Sequence, residues 1–439
     1  MTTDTEIPTT NTTAPRSPSR RCWIAFHLLR PIPPNRMNRG ERGNPKSAPL
    51  GDVERLYLSS QSQRYAWRKA LAQGELASRL GTRTRRLPRL VKEALDRQGA
   101  DPGIARGMSE LLRTIGKAES APSAEGAVDA EDMTSAILYL TRDEIDAMSV
   151  FALAHADALL RVDPAGEAAP PDDASGKAAP PDKAAPPDKA AKKKSKKAVA
   201  SVVDRAGELT RLRGELTTFL ATTAPRLAPD VALFGRFNTS EEIRPIAATL
   251  RVAHAIGVTP YEPAYDFFTT NDDCTPGGPA AHMGLIEHGS AVFYQYLDLA
   301  ATSLVEALGD RAEAAQTAAA LARVVALVTP SGAENSTAPH TPPAYLEVHI
   351  HRGSQPLNLC EPFASPLTHR ADADVLTQAV HALRAHVRSV HDTLYEPEEV
   401  VARFTFVPSG RTLPLYEGET RLASLAELCK AVQSAVESV

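Results

Sequence analysis

Segments suited to β-strands are dispersed along the whole chain, and this dispersion constrains the fold more than any other feature. Trp23–Ile32 (WIAFHLLRPI) is apolar and bounded by Pro33-Pro34, which predicts a buried strand. Arg55–Ser60 (RLYLSS) reads as a short strand, and Asp230–Phe237 (DVALFGRF) and Ser290–Ala300 (SAVFYQYLDLA) as β-rich stretches. YLEVHIHR (Tyr345–Arg352) and VARFTFVPS supply later strands. Helical patterns intervene: most of the chain from about Gln61 to Phe219, then TLRVAHAIG, about Ala301 to Val328, DADVLTQAVHALRAHVRSVHDTL, and a last helix after Glu417. LTRDEIDAMSV begins with a capping box, Thr141 followed by Glu144. Strands and helices alternate without regular βαβ repetition, so the expected class is α+β, with one sheet assembled from distant segments.

The 439 residues suffice for one large domain or two to three ordinary ones, and 43% apolar content allows a substantial core. Net charge is only −4, so a polyanionic ligand would need a local patch. One exists: Arg16 to Lys69 carries 12 Arg/Lys against three Asp/Glu. Cys22, Cys274, Cys360 and Cys429 lack Cys-x-x-Cys spacing and read as reduced thiols, with neither a zinc site nor a disulfide framework indicated. Thr317–Val328 is too short for a membrane span and contains Arg323, and residues 1–20 lack the apolar middle of a signal peptide, so a cytoplasmic protein is expected. Residues 1–20 are expected to form a disordered tail. Residues 163–198 form a low-complexity insert with three AAPPD repeats and the lysine cluster Lys192–Lys197; its composition cannot bury a core and predicts a flexible, partly polyproline tether.

Three features bear on chemistry. In SSQSQRYAWRKA (Ser59–Ala70), Ser59 or Ser60 is a natural N-cap, and helix N–H groups together with the dipole attract anions. Gln61, Arg64 and Arg68 share one helical stripe, with Trp67, Ala70 and Leu71 on the docking side. This suits a sugar-phosphate backbone, or else an ordinary amphipathic helix with exposed arginines. The preceding basic loop, with Arg36, Asn38, Arg39, Arg42 and Lys46, favours nucleic acid. In YDFFTTNDD (Tyr265–Asp273), neighbouring residues of an extended chain point to opposite faces, so only one of Phe267 and Phe268 can pack inward. The other suits a wedge that stacks on bases, or a loop folded over the domain. Finally, Glu347, His349 and His351 share one face of a strand; without a second ligand cluster at suitable spacing, a solvated sheet face is the expectation, and no metal is expected.

Ala25–Leu71, with its strand, Met-Asn-Arg loop, Pro-Lys step, and strand ending in Ser-Ser-Gln-Ser before a basic helix, closely resembles the CasC family. That family is the repeated backbone subunit of the type I-E CRISPR Cascade complex. DVALFGRF, RVAHAIGVTPYEPAYDFFTTNDD, AHMGLIEHGSAVFYQYLDL and VHIHRGSQPLNLCEPFASPL extend the resemblance over most of the chain outside tail and insert. The resemblance implies a hand: a modified RNA-recognition-motif (ferredoxin-like) palm from 21–71, 225–258 and 289–439, helical fingers from 72–224, and a thumb hairpin from 259–288. Arg39, Lys46, Ser59, Gln61, Arg64 and Arg68 match positions that contact CRISPR RNA. Phe237, just after Gly235-Arg236, matches an apolar residue packed against a displaced base. With Asn38, Ser60, Ser62 and Arg236 these make the expected RNA-binding set, and Phe267, Phe268 and Thr269 the thumb wedge. Glu54, Tyr57 and Tyr65 stand where relatives often carry Arg, and the insert departs from the family pattern.

The implied partners are CRISPR RNA, target DNA paired to it, further copies of the chain in a helical array, and the large, small, guide-end-capping and guide-processing subunits. No cofactor, membrane or catalytic residue is expected. The rival class is a ribonuclease using His27, His349 or His351 as acid and base, or a metal-dependent cleaver with Glu41 in the basic loop.

Overall fold

The structure, a computed structural model, describes residues 21–113, 115, 133–134, 136–163, 189–223, 225–237, 242–274, 282–408, 410, 416 and 418–439, over 189–204 as backbone alone. The expected tail 1–20, the greater part of the insert and the thumb tip 275–281 lie outside these residues. The described end of the insert corrects the tether expectation: Lys192–Lys197 lie within the helix Lys189–Thr223.

In chain order the strands are β1 (Cys22–Asn35), β2 (Ser47–Leu50), β3 (Val53–Leu58), β4 (Thr82–Thr84), β5 (Leu138–Leu140) and β6 (Leu250–Val252). They continue with β7 (Ala255–Gly257), β8 (Ala264–Thr270), β9 (His282–Ala300), β10 (Tyr345–Arg352), β11 (Val400–Phe406) and β12 (Glu419–Leu422). The large sheet runs β12-β11-β10-β1-β9-β7-β3-β2, with β6 and β8 also paired to β9. Its pairs are antiparallel except β11–β12. The architecture is thus α+β, with a sheet gathered from remote segments as expected.

Two compact units divide the chain: 1–67 with 250–305 and 314–439, and 68–249 with 306–313. In the first, β1 is buried on both faces. Ile24, Phe26 and Leu28 line an aliphatic face, on which Arg30 donates to Val325 O at 2.6 Å and Ala326 O at 3.1 Å. These are end carbonyls of the helix Arg311–Leu327, where a cation complements the dipole. Burial nonetheless pulls the Arg30 pKa down to about 10. Ala25, His27 and Leu29 occupy the opposite face, in register with His349, Glu347 and Tyr345 of β10 and with Asp298, Tyr296 and Tyr294 of β9. The helix Val375–Leu394, capped by Asp374, covers that face through Ala379, Val380, Leu383 and Val387.

The second unit packs helices Leu87–Arg97, Pro102–Arg113, Arg142–Ala154, Ala156–Val162 and Lys189–Thr223 around Leu95, Met108, Leu111, Phe151, Leu159 and Leu216. The Thr141–Glu144 capping box is present. A Cβ at Gly107 would stand 2.1 Å from Leu159 O, so only glycine permits that helix approach.

Two local expectations are corrected. DVALFGRF forms a helix, Pro229–Phe234, because Pro229 starts it and Gly235, at φ 73°, ends it; all six residues are buried, which hides the helical period. TLRVAHAIG forms β6 and β7, since its buried positions alternate and both strands pair with β9. Residues 225–249, expected in the palm, pack with the helical unit, where Asp230 Oδ1 accepts the Gly81 N–H at 2.8 Å.

Candidate nucleic-acid interface

The basic loop is an ordered element. Arg36 folds its guanidinium onto Gly43 O, with Nη2 at 2.6 Å, and the Gly40 N–H donates to Asn44 O at 2.8 Å. Arg39 bridges Pro45. Asn38 ties the loop to the helix start: its Oδ1 accepts the Ser59 N–H at 2.7 Å, and its backbone carbonyl accepts the Lys46 N–H at 2.7 Å. Arg39 and Arg42 remain exposed and Lys46 half-buried. Asn38, Arg39, Lys46, Ser59, Ser60, Gln61, Ser62 and Arg64 therefore come together.

The helix Ser60–Leu71 begins where expected, with Ser59 as N-cap, its Oγ accepting the Ser62 N–H at 3.3 Å. The Ser60 N–H donates to His254 Nδ1 at 2.9 Å. Both donors are spent within the protein. Trp67, fully buried, donates from Nε1 to Val328 O at 3.2 Å. Gln63 is also buried, donating to Leu58 O and Ala253 O. Arg64 is half-buried, its Nε is enclosed without a hydrogen-bond partner, and desolvation pulls its pKa below the ordinary guanidinium value. A partly desolvated guanidinium of this kind gains from an anionic ligand.

Arg68 and Arg236, both in the expected RNA-binding set, belong to the helical unit and are engaged within it. Arg68 Nε lies 3.0 Å from Asp230 Oδ2 and 2.9 Å from Tyr139 Oη, and its Nη2 donates to Gly81 O at 2.9 Å. Burial opposes its charge, but Tyr139 and Asp230 outweigh that and raise its pKa. Arg236 is 4% exposed; it donates to Tyr139 O at 2.9 Å, Glu144 Oε2 at 2.8 Å and Arg244 O at 2.8 Å. Both guanidiniums hold the unit together. Phe237 points outward, 88% exposed. It edges an open depression of about 810 Å³ lined with Ile137, Tyr139, Phe234, Pro245 and Ile246. Arg83 and Arg68 both lie over the Tyr139 ring, at 4.6 and 4.7 Å.

Within the segment expected to form a thumb, β8 pairs antiparallel with the first half of β9. Phe268 packs across Gly284, where a Cβ would come within 2.5 Å of its ring. Tyr265, Phe267, Leu285 and Met283 share the other face, and each is at least 60% exposed. One phenylalanine in and one out is the expected division. Thr269 pairs with Met283 on the exposed face.

The histidine face overturns the solvated-face expectation. Glu347, His349 and His351 are buried because β10 is a central strand covered by the helix Val375–Leu394. His27 Nδ1 contacts Tyr294 Oη at 2.9 Å. His391, from that helix, joins His349 at 4.8 Å between ring centroids. Burial holds His349, His351 and His391 neutral down to about pH 3. Neither His391 nor His254 carried a sequence signal, since each is brought in by packing across the sheet.

A family model described as CT1975-like protein matches residues 24–431. No curated protein matches the chain. Among solved structures, a chain of a "CRISPR RNA-guided surveillance complex, pre-nicking" is 24% identical, with a TM-score of 0.70 over 94% of this chain and 100% of that one. A chain of a "CRISPR RNA-guided surveillance complex" is 20% identical, with a TM-score of 0.62 over 94% and 99%.

Proposed function

Because the chain belongs to the CT1975-like protein family, we propose that it is the non-catalytic, CRISPR RNA-binding backbone subunit of a type I-E Cascade surveillance complex. That membership bears out the CasC resemblance of Ala25–Leu71. The observation that carries the reading is the joining of the basic loop to the capped helix start: Asn38 holds both, leaving Arg39, Arg42, Gln61 and Arg64 to meet phosphates and riboses.

In this reading the large sheet with its helices is the RNA-recognition-motif-like palm, the helical unit the fingers, and the β8–β9 hairpin the thumb. The exposed stripe of Tyr265, Phe267, Leu285 and Met283 interrupts the guide, so that it pairs with target DNA in segments. Sequence selection then belongs to base pairing, and the protein reads backbone and shape. Copies stack head to tail, an arrangement that propagates as a helix. The ribonuclease alternative through His27, His349 and His351 lacks support, since all three are about 1% exposed and beyond reach of a bound phosphate.

The test is co-expression with the partner subunits and a CRISPR array, followed by sizing of the RNA that purifies with the chain. A discrete array-derived RNA, lost in an Arg39→Glu/Arg64→Glu variant that still folds, is expected; a complete assembly without RNA would overturn the reading. Labelled guide and target, incubated with and without magnesium, test the rival: cleavage abolished by Glu41→Ala would make the chain an enzyme.

A further inference from the structure

We propose that His349, His351 and His391 form a transition-metal site of the zinc class, which clamps the helix Val375–Leu394 onto β10. Each ring offers one nitrogen, and the three nitrogens lie within 4.8 Å of one another. His349 and His351 project from the same strand face, two residues apart, and His391 descends from the helix above.

A second observation points to a ligand independently. His349 Nε2 and His351 Nδ1 are enclosed, in side chains 1% exposed, and neither has a hydrogen-bond partner. Glu347 Oε1 lies 2.8 Å from His349 Nε2, but the contact lacks the alignment of a hydrogen bond. Buried polar atoms are nearly always satisfied, so the unpartnered His351 Nδ1, beside two further imidazoles, calls for something that accepts its lone pair.

Three nitrogen donors suit zinc, and also cobalt, nickel or copper. Tetrahedral zinc at about 2.0–2.1 Å from each nitrogen requires nitrogens about 3.3 Å apart, so the rings close around the ion by rotation. Glu347 Oε1, 2.8 Å from His349 Nε2, stands beside the three nitrogens as a candidate fourth donor to the same ion. The half-exposed His391 gives the ion its way in.

The untagged full chain, stripped with a chelator and dialysed, is loaded with zinc for mass-spectrometric metal counting and with cobalt for visible absorption. One equivalent per chain, tetrahedral cobalt bands and a raised Tm are expected. His391→Ala, on the half-exposed helix face, and His351→Gln should each weaken binding at least about tenfold, with co-purified RNA retained as the control for folding. Should His351→Gln fail to fold, His391→Ala decides. Sub-stoichiometric metal without cobalt bands, or full binding retained in His391→Ala, would overturn the site.

Discussion

Two arginines four residues apart on one helix have opposite assignments. Arg64 has an enclosed Nε without a hydrogen-bond partner but is only half-buried, so in the proposed reading its charge can meet an anion. In Arg39→Ala and Arg64→Ala the slope of log affinity for single-stranded RNA against log salt should flatten by about 0.7 per cation removed, as measured by salt titration. Arg68 meets Asp230, which is fully buried, so Arg68→Ala leaves that carboxylate short of its charge partner. This should cost about 3–5 kcal/mol in chemical denaturation of the helical unit, with the apolar core elsewhere intact. An unchanged denaturation midpoint in Arg68→Ala would argue instead for a free surface arginine. The sequence places Arg64 and Arg68 on one stripe, and helical geometry keeps them there. It does not reveal Asp230, 162 positions away, which takes Arg68 out of the ligand-facing set.

At the scale of elements, the hairpin and the loop differ in how they hold their shape. The loop is closed by its own backbone and by Asn38 and Arg36, whereas the hairpin projects an apolar stripe that nothing within the described chain covers. Phe267→Ala should therefore leave the thermal midpoint nearly unchanged while weakening assembly on guide RNA, read as fewer copies per RNA by native mass spectrometry. A stacked aromatic is worth about 1–3 kcal/mol per base, so the loss should be visible at limiting protein. The strands β1, β3, β9, β10 and β11 and the main helices were legible because their periods are strong. Asp230–Phe234 was not, since a helix buried on all sides shows no polar face, and Leu250–Gly257 was not, since two short strands separated by Ala253 and His254 mimic a helical repeat. The polar face of β10 misled in the same way: alternation reports two different faces, and only the neighbouring helix decides that both are dry.

At the scale of the whole molecule, the first described strand lies at the centre of the large sheet. β1 lies between β9 and β10, and His27 touches Tyr294 across 267 positions of sequence. The helical unit, by contrast, is built from segments close together in the chain. During synthesis, then, an apolar strand leaves the ribosome early and waits for both partners until residue 352 has been made, while the helices of 87–162 can close on one another first. Closing such distant pairs is slow, and an unpaired strand invites aggregation in the meantime. Pulse-labelled hydrogen exchange during refolding should protect Leu95, Met108 and Phe151 amides before those of Ile24, Phe26 and Leu28. The yield of folded chain should then track chaperone supply and the speed of translation through residues 282–352.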